Sequence, residues 1–162
     1  MTSIRCIAGL ALCLGGCRGE PDDMAGVWSG VLACSQPVDA GELTYDTAVD
    51  LRLEAAAPEV NTGVMQLVSA YFWQGSDIVQ SADFDVEVRQ TDERGAQAVV
   101  FTEVTCTAAS VTVDGGPYEE GCEEVGATGA PESATWDGKD ALTLESSICA
   151  GTLTRAAGGA SG

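Results

Sequence analysis

The 162 residues contain no histidine and a single lysine, Lys139. Without imidazole there is no Ser-His-Asp or Cys-His relay and no His-type zinc site. A Gly-x-Ser-x-Gly elbow, a phosphate-binding Gly-x-x-x-x-Gly-Lys loop and a dinucleotide fingerprint are also missing. Lys139 follows the turn sequence Trp136-Asp137-Gly138, a poor setting for a desolvated catalytic lysine. With 25 acids, paired carboxylates are expected by chance, so they do not single out a glycosidase. The chain therefore reads as non-enzymatic, with no cofactor implied. Positive charge is scarce as well: 7 Lys and Arg face 25 Asp and Glu, a formal charge of −18. Nucleic-acid binding needs a basic face to neutralise phosphates and is excluded on this ground. There is no apolar run of the roughly 20 residues that a membrane-crossing helix requires. No Cys-x-x-Cys pair is present, which weakens a metal-site reading of the cysteines.

What is present begins at the N-terminus. Arg5 is followed by an apolar run from Cys6 to Leu14, then Gly15, Gly16, Cys17 and the polar stretch from Arg18 to Asp23. This is a positive n-region, a short h-region and a small-residue cleavage site, so residues 1–16 read as a signal peptide. Leu14-Gly15-Gly16-Cys17 resembles the lipobox of bacterial lipoproteins. The resemblance implies that Cys17 is acylated and becomes the first mature residue. Cys13 is a poorer match because Leu12 would fill the small-residue position. Arg18, in place of an aspartate after the lipidated cysteine, implies the outer rather than the inner membrane of the cell envelope.

Removal of residues 1–16 takes away Arg5 and no acid, leaving 6 basic and 25 acidic side chains and a formal charge of −19. Anionic headgroups repel such a chain, so its bilayer contact has to be the lipid itself, and two or more acyl chains hold stably where one does not. Apolar residues make up 45% of the chain, too many for an acidic disordered polymer. Residues 17–24 read as a lipidated tether, 25–155 as a single β domain and 156–162 as a flexible tail.

The dominant period is two, the strand period. Tyr45, Thr47, Val49, Leu51 and Leu53 alternate with Asp46, Asp50, Arg52 and Glu54. Phe84, Val86 and Val88 alternate with Asp83, Asp85, Glu87 and Arg89. Further candidates are 27–34, 63–73, 96–107, 110–113, 141–145 and 148–154, about eight strands in all. Turn chemistry separates them at Gln36-Pro37, Pro58, Asn61-Thr62-Gly63, Asp92 to Gly95, Asp114 to Pro117 and Asp137-Gly138. The expectation is an all-β, antiparallel, about eight-stranded barrel, with a sandwich as the alternative. An immunoglobulin-type sandwich would place a tryptophan soon after Cys34, and the next is Trp73. Closure sets the first strand beside the last, where Cys34 and Cys149 can meet. Of the three connectivities open to Cys34, Cys106, Cys122 and Cys149, the preferred one is Cys34–Cys149 with Cys106–Cys122.

Gly26-Val27-Trp28 opens the first strand and Arg155 ends the last. This resembles the lipocalin and avidin group of barrels, and the resemblance implies that Arg155 packs against Trp28. Three functional readings follow. The leading one is a membrane-anchored envelope lipoprotein that binds another envelope protein or supports the envelope. The second is a barrel that takes a small apolar ligand, with Trp28, Leu51, Tyr71 and Trp73 as lining candidates. The third is an acidic calcium-binding module built on the stretch from Asp114 to Glu124, although its spacing is not that of an EF-hand.

Overall fold

A computed structural model describes residues 24–39, 41–93, 96–125, 131 and 133–156. The signal segment 1–16, Cys17 and its tether to residue 23, and the tail from 157 lie outside the described residues. Nine strands form one antiparallel sheet: β1 (Gly26–Val38), β2 (Gly41–Ala57), β3 (Val60–Trp73), β4 (Ser76–Glu93), β5 (Ala96–Val113), β6 (Gly116–Glu120), β7 (Ser133–Trp136), β8 (Ala141–Glu145) and β9 (Cys149–Arg155). A single helical turn, α1 (Cys122–Val125), follows β6. The ladders run β4-β3-β2-β1-β9-β8-β7-β5, and β4 also pairs with β5. Eight strands therefore close into a ring, as the alternation predicted, and β6 hangs from β5 outside it.

Closure follows from which side chains face inward. Val49, Leu51 and Leu53 on β2 and Phe84, Val86 and Val88 on β4 are buried, while Asp50, Arg52, Glu54 and Asp85 between them are exposed. Each strand thus has one face that gains by leaving water, and a ring buries all those faces against each other without leaving an open edge. At the seam, β1 pairs with β9 from Trp28↔Arg155 to Cys34↔Cys149. Two glycines let these strands approach: a Cβ on Gly30 would meet the Thr152 carbonyl oxygen at 2.6 Å, and one on Gly151 the Val31 carbonyl oxygen at 2.5 Å.

Five details differ from the sequence expectation, the first being Asn61-Thr62-Gly63, which is not a break but part of β3. The segments 96–107 and 110–113 belong to one strand, β5, which absorbs irregular pairing as a register shift opposite Asp83/Phe84. Gln36-Pro37 is not a break but part of β1. The Ser35 amide donates to the Ile148 carbonyl (2.8 Å), so Pro37, two residues on, turns its missing N–H to the same side, beyond Cys149, where β9 begins. The acidic stretch from Asp114 to Glu124, which holds none of the predicted strands, contains β6 and α1. Residues 133–136 form β7, which carries the buried Trp136 into the core and had no place in the predicted strand set.

Both preferred cysteine pairings are at bonding distance. Cys34–Cys149 links residues 115 apart in sequence, and Cys106–Cys122 links residues 16 apart and ties α1 to β5.

Candidate functional site: a cleft at the open rim

The two ends of the ring are built differently. The lower end, where β1 begins, is filled. Met24, Trp28 and Trp136 are wholly or almost wholly buried. The Trp28 indole N–H donates to the Met24 carbonyl (2.9 Å), and that of Trp136 to the Lys139 carbonyl (3.3 Å). The Arg155 guanidinium lies 4.6 Å from the Trp28 ring centre and 5.9 Å from that of Trp136. Gly26, at φ 144°, is next to it: a Cβ there would lie 3.8 Å from the Arg155 side chain. The three residues that carried the barrel resemblance are thus brought together, with the cation over the rings where the π quadrupole favours it.

Above the buried pair Val49 and Leu67 the interior turns polar. The buried hydroxyls of Thr47 and Ser69 bond to one another at 2.8 Å, and the Cys34 sulfur lies 3.2 Å from Thr47 Oγ1. At the upper end the wall forks. The β2–β3 ladder stops at Asp46↔Ala70, and β9 stops at Cys149, opposite Cys34. The β1–β2 ladder continues to Val38↔Gly41, so its tip extends as a two-stranded ribbon past the end of both neighbouring ladders.

A cleft of about 920 Å³ opens at this fork, lined by Tyr45, Tyr71, Phe72, Ile148, Asp46 and the Cys34–Cys149 pair, among others. The Tyr45 and Tyr71 rings sit side by side, centres 5.1 Å apart and tilted by 37°. Burial raises the pKa of both phenols above the ordinary value of 10.0, and for Tyr45 the neighbouring Tyr71 adds to the rise. Both hydroxyls therefore stay protonated through neutral pH. Phe72, on the opposite face of β3, is 65% exposed at the rim. The β8–β9 turn forms the far side, held by Ser146 Oγ, which accepts from the Cys149 amide at 2.9 Å.

Of the predicted lining residues, the structure puts Tyr71 in this cleft. Trp28 and Leu51 are fully buried and pack the core below it, so their neighbours occupy the space a ligand would need. Trp73 is half-buried at the β3–β4 hairpin and does not line the cleft. Tyr45, Ile148 and Ser146 were not recognised as site residues. Tyr45 was legible as inward-facing, but its partner is set by register across two strands, which no local pattern reveals. The acidic stretch behaves as surface: Asp114 Oδ1 accepts from the Asp77 amide (2.9 Å) across a hairpin tip, and Tyr118 is 68% exposed. Among the described residues no group of three or more Cys, Asp or Glu is placed to hold a metal ion. Two grooves of about 590 and 500 Å³ score the outer wall, lined by alternating side chains such as Arg52, Val64, Asp83 and Asp85.

Set against known proteins, the chain matches no family model, no curated protein and no solved structure.

Proposed function

We propose that the chain is an exported lipoprotein of the bacterial cell envelope, anchored through acylated Cys17, whose β domain has a binding or structural role rather than a catalytic one. The observation that carries this reading is Leu14-Gly15-Gly16-Cys17 at the end of the apolar run. The cysteine arrangement supports it, because paired cysteines persist in oxidising compartments. Six residues separate Cys17 from Met24, which is buried at the lower end of the ring. At no more than ~3.6 Å per residue, that link spans at most about 25 Å. In this reading the packed lower end faces the bilayer, and the cleft at the upper end faces away from it toward partners. Arg18 favours the outer membrane.

Mass spectrometry of the purified mature protein tests the anchor. The expected N-terminal peptide starts at Cys17 and carries acyl mass, and Cys17→Ser moves the protein from the membrane to the soluble fraction. An unmodified mature chain beginning after residue 17 defeats the proposal.

A filled interior around Trp28 and Leu51 counts against a small apolar ligand inside the ring; a second reading, a small ligand held at the rim, is favoured by one observation, the open cleft at the fork. A probe that protects Tyr45 and Tyr71 but not Tyr118 from chemical modification would support it, and equal modification of all three would count against it.

A further inference from the structure

Positive charge is sorted along the axis of the ring. The described basic residues are Arg52, Arg89, Lys139 and Arg155. Arg155 pairs with Trp28, Arg52 with Val27 and Arg89 with Val60, and Lys139 follows Asp137 in the turn between β7 and β8. All four therefore lie toward the lower end. The upper rim carries Asp39, Glu42, Asp46, Asp77 and Asp114, and no described Lys or Arg. From Trp28 to Cys34 is six steps of β1, about 20 Å at ~3.3 Å per residue. This exceeds the Debye length of roughly 8 Å at physiological salt, so the lower cations do not offset the field at the mouth.

The cleft sits inside this acidic rim. Two tyrosine rings form its inner wall, Asp46, on the opposite and exposed face of β2, stands at its outer lip, and no Lys or Arg is among its described lining residues. An anion would be repelled there. A neutral ligand would gain nothing from the field. A cation gains from the acidic field that draws it in and from the aromatic rings that line the cleft.

We infer that the fork between β2 and β3 is a binding site for a small organic ammonium ion, with Tyr45 and Tyr71 as the aromatic wall and Asp46 as a counter-charge at its outer lip. The inference stands apart from the acylation of Cys17, since the cleft residues all belong to the folded domain.

The test uses the purified full mature protein in a non-ionic detergent and two probes of one shape, choline and its uncharged isostere 3,3-dimethylbutan-1-ol, followed by saturation-transfer NMR. Choline is expected to bind saturably, and the alcohol about fivefold or more weaker. Tyr71→Leu, which keeps apolar bulk but removes the π face, is expected to weaken choline by a similar factor. Tyr71→Phe keeps the binding, and so does Tyr118→Leu on the exposed surface. Should Tyr71→Leu fail to fold, Asp46→Asn serves in its place and is expected to weaken choline while sparing the alcohol. Equal binding of the two probes, no saturable binding of choline, or choline binding that survives both Tyr45→Leu and Tyr71→Leu would each overturn the assignment. Loss of acylation with choline binding intact would fault the anchor alone.

Discussion

The lower and upper ends of the ring are held by different forces. Below, Trp28, Trp136 and Met24 fill the interior and Arg155 stacks over the indoles, so van der Waals contact and cation–π attraction dominate. Above, the strands part, the tyrosines are half-buried, and the Cys34–Cys149 bond ties the seam where the β1–β9 ladder ends. An end that stays open gives up packing, and a covalent link can offset that loss by constraining the unfolded chain.

Breaking that link should give the largest effect. Cys34→Ala with Cys149→Ala is expected to cost about 4–5 kcal/mol in urea unfolding, as expected for a cross-link spanning roughly 100 residues, against about 3 kcal/mol for the shorter Cys106–Cys122 loop. Equal losses for the two pairs would argue that the seam gains nothing special from its bond. Next comes the packed end. Trp28→Ala should cost roughly 3–4 kcal/mol, and Tyr71→Ala, half-exposed, roughly 1 kcal/mol. Comparable values would erase the distinction between the ends. Arg155→Leu isolates the cation and should lose about 1 kcal/mol, read as a lowered denaturation midpoint with unchanged slope.

The smallest effect is electrostatic and belongs to the upper end. Tyr45 and Tyr71 have pKa values raised by burial, so the unfolded chain ionises first as pH climbs. Their contribution is complete below pH ~10 and is lost as pH rises through the folded values. A stability profile from about pH 8 to 12 should fall more steeply for the native chain than for the Tyr45→Phe, Tyr71→Phe double variant. Identical profiles would show that the rim phenols are not desolvated.

Much of the ring was legible in advance because side-chain alternation is a local property. The inward set Thr47, Val49, Leu51 and Leu53 and the set Phe84, Val86 and Val88 are buried as their spacing required. The Cys34–Cys149 pairing follows from closure of a ring, and it leaves Cys106 with Cys122. The shorter pieces escaped notice for equally physical reasons. Ser133–Trp136 is only 4 residues, too few to display a period, and owes its strand form to pairing on both sides with β5 and β8. Gly116–Glu120 carries proline and acids and is a strand because a tight turn folds it back on β5. Trp28 and Leu51 looked equally suited to packing or to lining a cavity. Only the arrangement of their neighbours shows that they pack.

The sequence by itself determined the acidic surface, the histidine-free chemistry, the inward and outward faces of the long strands and a cysteine set able to pair twice. Each depends on residue type or on neighbours one or two positions away. Tertiary structure alone decided where the ladders stop, and with that the fork, the meeting of Tyr45 with Tyr71 and the gathering of the described basic residues at one end. Those features depend on the register of strands distant in sequence, because a side chain's face is fixed by the backbone beside it, whereas its height on the ring is fixed by closure of the whole sheet.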